Sequence, residues 1–189
     1  EKPVLQSTEF LLVISEMFQR LRDKHLKCAM VGGVAVEVLV NPPSTVDLDI
    51  LVNTDGETAL RRLRELLQSL RDEKWDSMPL FFGRAWPGKP SSGVWFIHPQ
   101  TCIKVDLLFT GSDKFLTRAV NRAPAFTIKG CRGVLPNIMV VEDLVVMKML
   151  AGREKDTEDV EAIMRAYKGT LDTDYIEKAY IDLDEGYYQ

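Results

Sequence analysis

Apolar residues along this chain recur with two periods, and the changes of period mark its elements. Leu11, Ile14, Phe18 and Leu21 fall three or four residues apart, which predicts a helix over 8–25 with Ser7 as its N-cap. His25, near the end of that helix, suits the negative pole of the helix dipole and is read as structural. A strand is expected over 27–31, apolar from Cys28 onward, and Gly32-Gly33 turns it into a helix over 34–40 that Asn41-Pro42-Pro43 stops. A second strand over 46–52 alternates Val46, Leu48 and Ile50 with Asp47 and Asp49, and Asn53-Thr54-Asp55-Gly56 ends it as a turn. The strongest helical pattern follows over 57–72. There Leu60, Leu63, Leu67 and Leu70 share a face, while Arg61, Arg62, Arg64 and Glu65 point to water.

From residue 78 the pattern is that of strands, over 79–86, 93–98 and 101–109, with Pro87-Gly88, 90–93 and Pro99-Gln100 between them. This predicts an antiparallel meander continuing the sheet. A short helix over 113–121 and a strand-like run over 125–129 lead through Cys131 to Pro136. The rest is helical. Val141-Glu142-Asp143 opens a helix with acids suited to its N-terminal turn, Gly152 breaks it, and another helix spans 156–167. Asp156, Asp159, Val160, Ile163, Met164 and Tyr167 form the inward stripe of that helix. A last helix over 172–180 and an acidic tail with tyrosines finish the chain. Trp86 and Trp95 are read as sheet-face packing, with base stacking as the alternative, and His98 is assigned no function.

Composition narrows the class. With 46% hydrophobic and 28% charged residues in 189, the expectation is one globular domain over 1–189, its core at 27–140 and a helical part at 141–189. A net charge of −4 and a pI near 5.3 exclude a broad nucleic-acid surface but not a local basic cleft. Cys28, Cys102 and Cys131 are odd in number and lack a Cys-x-x-Cys pair, which argues for a reducing compartment and against disulfides or zinc. Cys28 and Cys102 sit in apolar strand-like runs and are read as small hydrophobes. The chain shows neither a signal-peptide pattern nor an apolar run of membrane-spanning length, so a cytoplasmic location and no membrane partner are expected.

Three features carry chemistry. Asp47 and Asp49 project from one face of a strand whose other face is apolar. Paired carboxylates there repel each other and are costly to bury, and a divalent cation with hard oxygen ligands resolves both difficulties. Asp106, in Lys104-Val105-Asp106-Leu107-Leu108-Phe109, completes a three-carboxylate set if its strand lies beside the first. Such a set can hold two metals about 3.5–4 Å apart that clamp the attacking and leaving oxygens of an in-line displacement. Gly32-Gly33, between strand and helix, lets backbone N–H groups approach a phosphate. It is neither a P-loop nor a dinucleotide fingerprint. Lys148 is the only charge between Leu144 and Ala151 and must snorkel or meet an anion, a triphosphate or a carboxylate such as Asp156.

These residues resemble the nucleotidyltransferase superfamily related to DNA polymerase β, whose signature is a hydrophobic residue, Gly and Gly or Ser, then Asp-hydrophobic-Asp. Val31-Gly32-Gly33 and Asp47-Leu48-Asp49-Ile50 match it, and Asp106 is similar to the third carboxylate. Glu142-Asp143-Leu144, Lys148, Ala151-Gly152-Arg153, Lys155-Asp156 and Asp159 resemble the small prokaryotic branch of AbiEii-type toxins and antibiotic adenylyltransferases. The resemblance spans about 27–167. It implies an α+β, polymerase β-like fold with a mixed, mainly antiparallel sheet flanked by helices and followed by C-terminal helices. It also implies transfer of a nucleoside monophosphate, AMP in the first place, from an NTP to an acceptor hydroxyl on a small molecule, protein or RNA. Asp47, Asp49 and Asp106 would be the catalytic and metal residues, for two Mg2+ ions or Mn2+ in their place, with Asp106 as candidate base. Gly32, Gly33 and Lys148 would bind the nucleotide. The alternative is a non-catalytic member that binds a nucleotide or a partner, with an antitoxin or a second copy of the chain as candidates. The chain departs from its relatives at Pro43, where many carry Arg, and keeps Thr45.

Overall fold

The apolar periods of the sequence become a mixed sheet packed between helices. The computed structural model describes residues 7–40, 46–78, 81–82, 88–131 and 133–185, with the side chain of Phe82 excluded. Pro43, Thr45, Trp86, the Asn41-Pro42-Pro43 stop and much of the strand expected over 79–86 therefore lie outside the described residues. The elements are α1 (Thr8–Asp23), β1 (Cys28–Met30), α2 (Gly32–Val40), β2 (Asp47–Val52), α3 (Glu57–Asp72), β3 (Asp76–Ser77), β4 (Phe81–Phe82), β5 (Ser92–Ile97), β6 (Lys104–Phe109), α4 (Lys114–Arg122), α5 (Val141–Ala151), α6 (Glu154–Ala166) and α7 (Thr173–Glu185).

The sheet runs β1-β2-β6-β5, with β3 and β4 both paired to β5. Among the described strands only the β2–β6 pairing is parallel; the other strand pairs are antiparallel, as the expected meander from β4 to β6 requires. The parallel pairing needs a crossover, and α3 lies within that connection. Its register sets Asp47 opposite Lys104 and Asp49 opposite Asp106. Because side chains alternate, Leu48, Ile50, Val105, Leu107, Val94 and Phe96 enter the core together. The α1 helix buries Phe10, Val13, Ile14, Met17, Phe18 and Leu21, and α3 buries Leu63, Leu66, Leu67 and Leu70. Arg20 ties α1 to the end of α3 through Glu73 (2.8 Å). Glu16 reaches the buried His98 at the end of β5 (3.1 Å), and His98 stands edge-on to Trp75. His98 is thus a structural residue.

Several expectations need correction. Leu60 is 40% exposed at the rim of its helix, and Leu66 takes the buried place. Met164 is likewise exposed, so the inward stripe of α6 keeps the buried Asp156, Asp159 and Ile163, with Val160 and Tyr167 packed half-buried against the core. Strand β6 begins at Lys104, and Cys102 is exposed in the preceding turn with φ +59, not a small hydrophobe in a strand. The turn closes locally, Thr101 N–H donating to His98 Nδ1 at 3.2 Å, and that bond competes with extended pairing. The run at 125–129 forms an isolated bridge between Ala125 and Asn137 in place of a strand. Cys28 is buried, and burial pushes its thiol up to about 12, as an inert core cysteine requires.

Candidate active site

Strand alternation and one glycine build this site. Asp47, Asp49, Lys104 and Asp106 all project from the sheet face opposite the core residues, because they share one parity in two strands paired in register. On the next strand Trp95 lies opposite Asp106, so Asp49, Asp106 and Trp95 form a row across β2, β6 and β5. The α2 helix starts beside this row. Its first residue, Gly32, has φ +67, and a Cβ placed there would lie 2.0 Å from Asp49 Oδ2. Gly32 therefore makes room for the Asp49 carboxylate and supplies a backbone turn no side chain could replace. The first N–H groups of a helix have no partner within it, so the positive end of α2 opens next to the carboxylates.

A cavity of about 480 Å³ covers this row. Its lining includes Gly32, Asp49, Lys104 and Asp106, with Phe81, Lys89 and Trp95, and Lys148, Arg153 and Asp156 from the C-terminal helices and the turn between them. Asp47 is not part of the lining; it is 39% exposed and joins the group through Lys104. Gly33 lies one residue further along the first turn of α2 and does not line the cavity. The site thus gathers Gly32, Asp49, Asp106 and Lys148, with Asp47 adjacent and Gly33 set back.

Burial and repulsion among the acids set the electrostatics, burial being the larger. Burial first, then the charges of Asp106 and Asp47, push the Asp49 carboxyl up to about 7, against partial relief from Lys104 and Lys148. Lys104 Nζ donates to Asp106 Oδ2 at 2.6 Å and lies 3.5 Å from Asp47 Oδ2. Burial works against its charge, but these two acids outweigh burial and raise its pKa. The sequence reading passed over Lys104, although its place two residues before Asp106 gives it the same strand parity. Among the described residues no three His, Cys, Asp or Glu side chains are gathered as a ready-made metal site. The all-oxygen donor set and the crowded charge around Asp49 nevertheless fit a hard divalent cation, and the Lys104 ammonium bridges Asp47 and Asp106.

Lys148 meets carboxylates. Buried in α5, its Nζ is 2.6 Å from Asp159 Oδ2 and 3.3 Å from Asp156 Oδ1, across the αL turn at Gly152. Arg153 adds a bond to Asp156 Oδ2 at 2.6 Å, its guanidinium otherwise exposed toward the cavity. Although burial opposes it, Arg153 and Lys148 hold the Asp156 carboxyl below its usual range. Behind the site Asp143 is buried, with Arg122 Nε donating to it at 2.6 Å and the Tyr175 hydroxyl at 2.6 Å. Asp143 therefore clamps α4, α5 and α7 together, a role the helix-dipole reading of the sequence did not supply.

No protein-family model matches the chain, and no curated protein matches it in sequence. Solved structures do match it. An antigenic nucleotidyltransferase-like protein from Paracoccidioides brasiliensis superposes with a TM-score of 0.58 at 17% identity, over 95% of this chain and 89% of that one. The antibiotic-resistance factor ANT(2'')-Ia in solution superposes with a TM-score of 0.60 at 11% identity, over 96% and 94% of the two chains. In complex with adenylyl-2''-tobramycin the same factor gives 0.56 at 14% identity, over 95% and 99%. At such identities the likeness is one of backbone, and it covers both the carboxylate-bearing sheet and the C-terminal helices. The chain has the nucleotidyltransferase fold.

Proposed function

We propose that this protein is a nucleotidyltransferase, moving a nucleoside monophosphate from an NTP to an acceptor hydroxyl. One observation carries the reading: Asp49 and Asp106 face each other in register beside Asp47, against the open N-terminus of α2, and their mutual repulsion is left for a cation to relieve. Two divalent cations, magnesium in the first place, would be held by Asp47, Asp49 and Asp106 and would neutralise charge on the triphosphate and the leaving group. The chain itself binds and orients. Backbone N–H groups at Gly32 and Gly33 receive phosphate oxygens, and the largely exposed Arg153 adds a cation at the cavity, with Lys148 held beside it by Asp156 and Asp159. Asp106, facing the cavity between Asp49 and Trp95, accepts the proton of the acceptor hydroxyl. The acceptor oxygen bonds to the α-phosphorus as the bond to the β-phosphate breaks, and pyrophosphate leaves. The adenylyl product held by ANT(2'')-Ia supports AMP as the transferred group and a small molecule as acceptor.

The test is incubation of the protein with each α-labelled NTP, magnesium or manganese, and a fractionated cell extract, beside the Asp47→Asn and Asp106→Asn variants. Label should enter one fraction with the unaltered protein and with neither variant. Equal labelling by a folded variant sinks the assignment. An absence of label throughout, with intact nucleotide binding, favours a non-catalytic binding role.

A further inference from the structure

Lys104 occupies a place that the proposed reaction does not use. Its ammonium bridges Asp47 and Asp106, at 3.5 and 2.6 Å, from the same strand face as Asp106. An ammonium bridging these two carboxylates and a divalent cation drawn to the same pair compete, because the two cations repel each other and contend for the space between the acids. The side chain is about one-third exposed, 33%, and its stem is long and unbranched, so it can leave without disturbing the core. A second seat lies within reach, since Nζ is 6.0 Å from the centroid of the Trp95 ring on the neighbouring strand, a face that attracts cations. Trp95 stands on the far side of Asp106 from Asp49 and Gly32.

We propose that Lys104 is an internal counter-ion of the carboxylate cluster, a positioning residue that holds Asp47 and Asp106 in the metal-free protein, competes with the incoming divalent cation for their oxygens, and swings toward Trp95 when displaced. The proposal rests on the metal-site reading above. It gives the cluster a defined resting state: three carboxylates close enough to repel are kept in place by an ammonium instead of splaying apart. It also sets a threshold for metal loading, because metal entry must first displace the paired lysine.

The experiment titrates nucleotide-free protein with Mn2+ at pH 8 and follows the free-ion electron paramagnetic resonance signal. Unaltered protein is compared with Lys104→Met, which keeps the stem and removes the charge, and with Lys104→Arg, which keeps the charge. Lys104→Met should bind Mn2+ at least tenfold more tightly than the unaltered protein, a gap of about 1.4 kcal/mol, while Lys104→Arg should stay within about threefold. Equal or weaker binding by folded Lys104→Met overturns the proposal and leaves the metal site standing. Absence of Mn2+ binding by all three proteins overturns the metal-site reading and the proposal with it. A measurement on the unaltered chain avoids any folding defect in the variants: with 13C-labelled lysine, the Lys104 ε-carbon signal, assigned by its loss in Lys104→Arg, should shift as Mg2+ is added. A signal unmoved while Mg2+ binds refutes displacement.

Discussion

Replacing Asp49 with asparagine should abolish the proposed transfer and, in the same protein, stabilise the metal-free fold. Burial and the charges of Asp106 and Asp47 raise this carboxyl from its ordinary 3.8 to about 7. At about 1.4 kcal/mol per pH unit, that interval is worth roughly 4 kcal/mol against the folded state once Asp49 is ionised. The sign follows from proton linkage. Below the ordinary value, folded and unfolded chains both carry the proton and nothing is lost. As pH rises toward 7 the unfolded chain releases its proton while the folded one keeps it, and stability falls; above about 7 the whole penalty is present. Asparagine keeps the shape and never titrates. In a domain of this size 1 kcal/mol shifts Tm by about 2–4 °C, so Asp49→Asn should melt roughly 10 °C above the unaltered protein at pH 8 in a chelator. That gap should close toward pH 4. Thermal melts followed by circular dichroism across this range measure it directly. A variant that melts at or below the unaltered protein at every pH refutes the reasoning, as does a gap that ignores pH. Saturating Mg2+ should raise the Tm of the unaltered protein at pH 8 and leave the variant nearly unchanged.

Three further outcomes follow from the same geometry. Gly32→Ala forces a side chain into a left-handed backbone with its Cβ about 2.0 Å from Asp49 Oδ2, which should lower urea-unfolding stability by about 2–5 kcal/mol through strain and overpacking. Lys148→Met leaves Asp159 without its buried partner and Asp156 with Arg153 alone; a loss of about 3–5 kcal/mol is expected at neutral pH, shrinking in acid as the carboxylates take up protons, and an unchanged urea midpoint contradicts the pairing. Arg122→Ala strips the buried Asp143 of its cation and leaves it the Tyr175 hydroxyl. Denaturant titration should show a loss of about 3 kcal/mol, and restoring the loss with Arg122→Lys only in part would reflect the two-point contact a guanidinium makes.

The candidate site is legible in the sequence because its side chains sit on regular elements. Asp47-Leu48-Asp49 and Lys104-Val105-Asp106 each show strand parity, and parity fixes which side chains share a face. The register that brings Asp49 opposite Asp106 was not legible, since it depends on a parallel pairing between distant strands. For that reason Lys104 went unnoticed as the nearest cation, and Trp95 could not be placed in the row. Gly32 was read as a phosphate turn, and its closeness to Asp49 emerges only when strand and helix are folded together. Irregular segments misled the reading where local hydrogen bonds replaced pairing. The turn before β6 places Cys102 at φ +59 despite its apolar neighbour Ile103, and the run after α4 contributes a single bridge.

The central claim is that this carboxylate row performs nucleotidyl and not phosphoryl transfer. Two parallel reactions decide it, one with NTP labelled at the α-phosphorus and one with NTP labelled at the γ-phosphorus, each with the acceptor fraction and magnesium. The geometry predicts α-label on the acceptor and γ-label wholly in pyrophosphate, both dependent on Asp47 and Asp106. Label from the γ-position on the acceptor, or α-label transferred equally by Asp47→Asn, would contradict it.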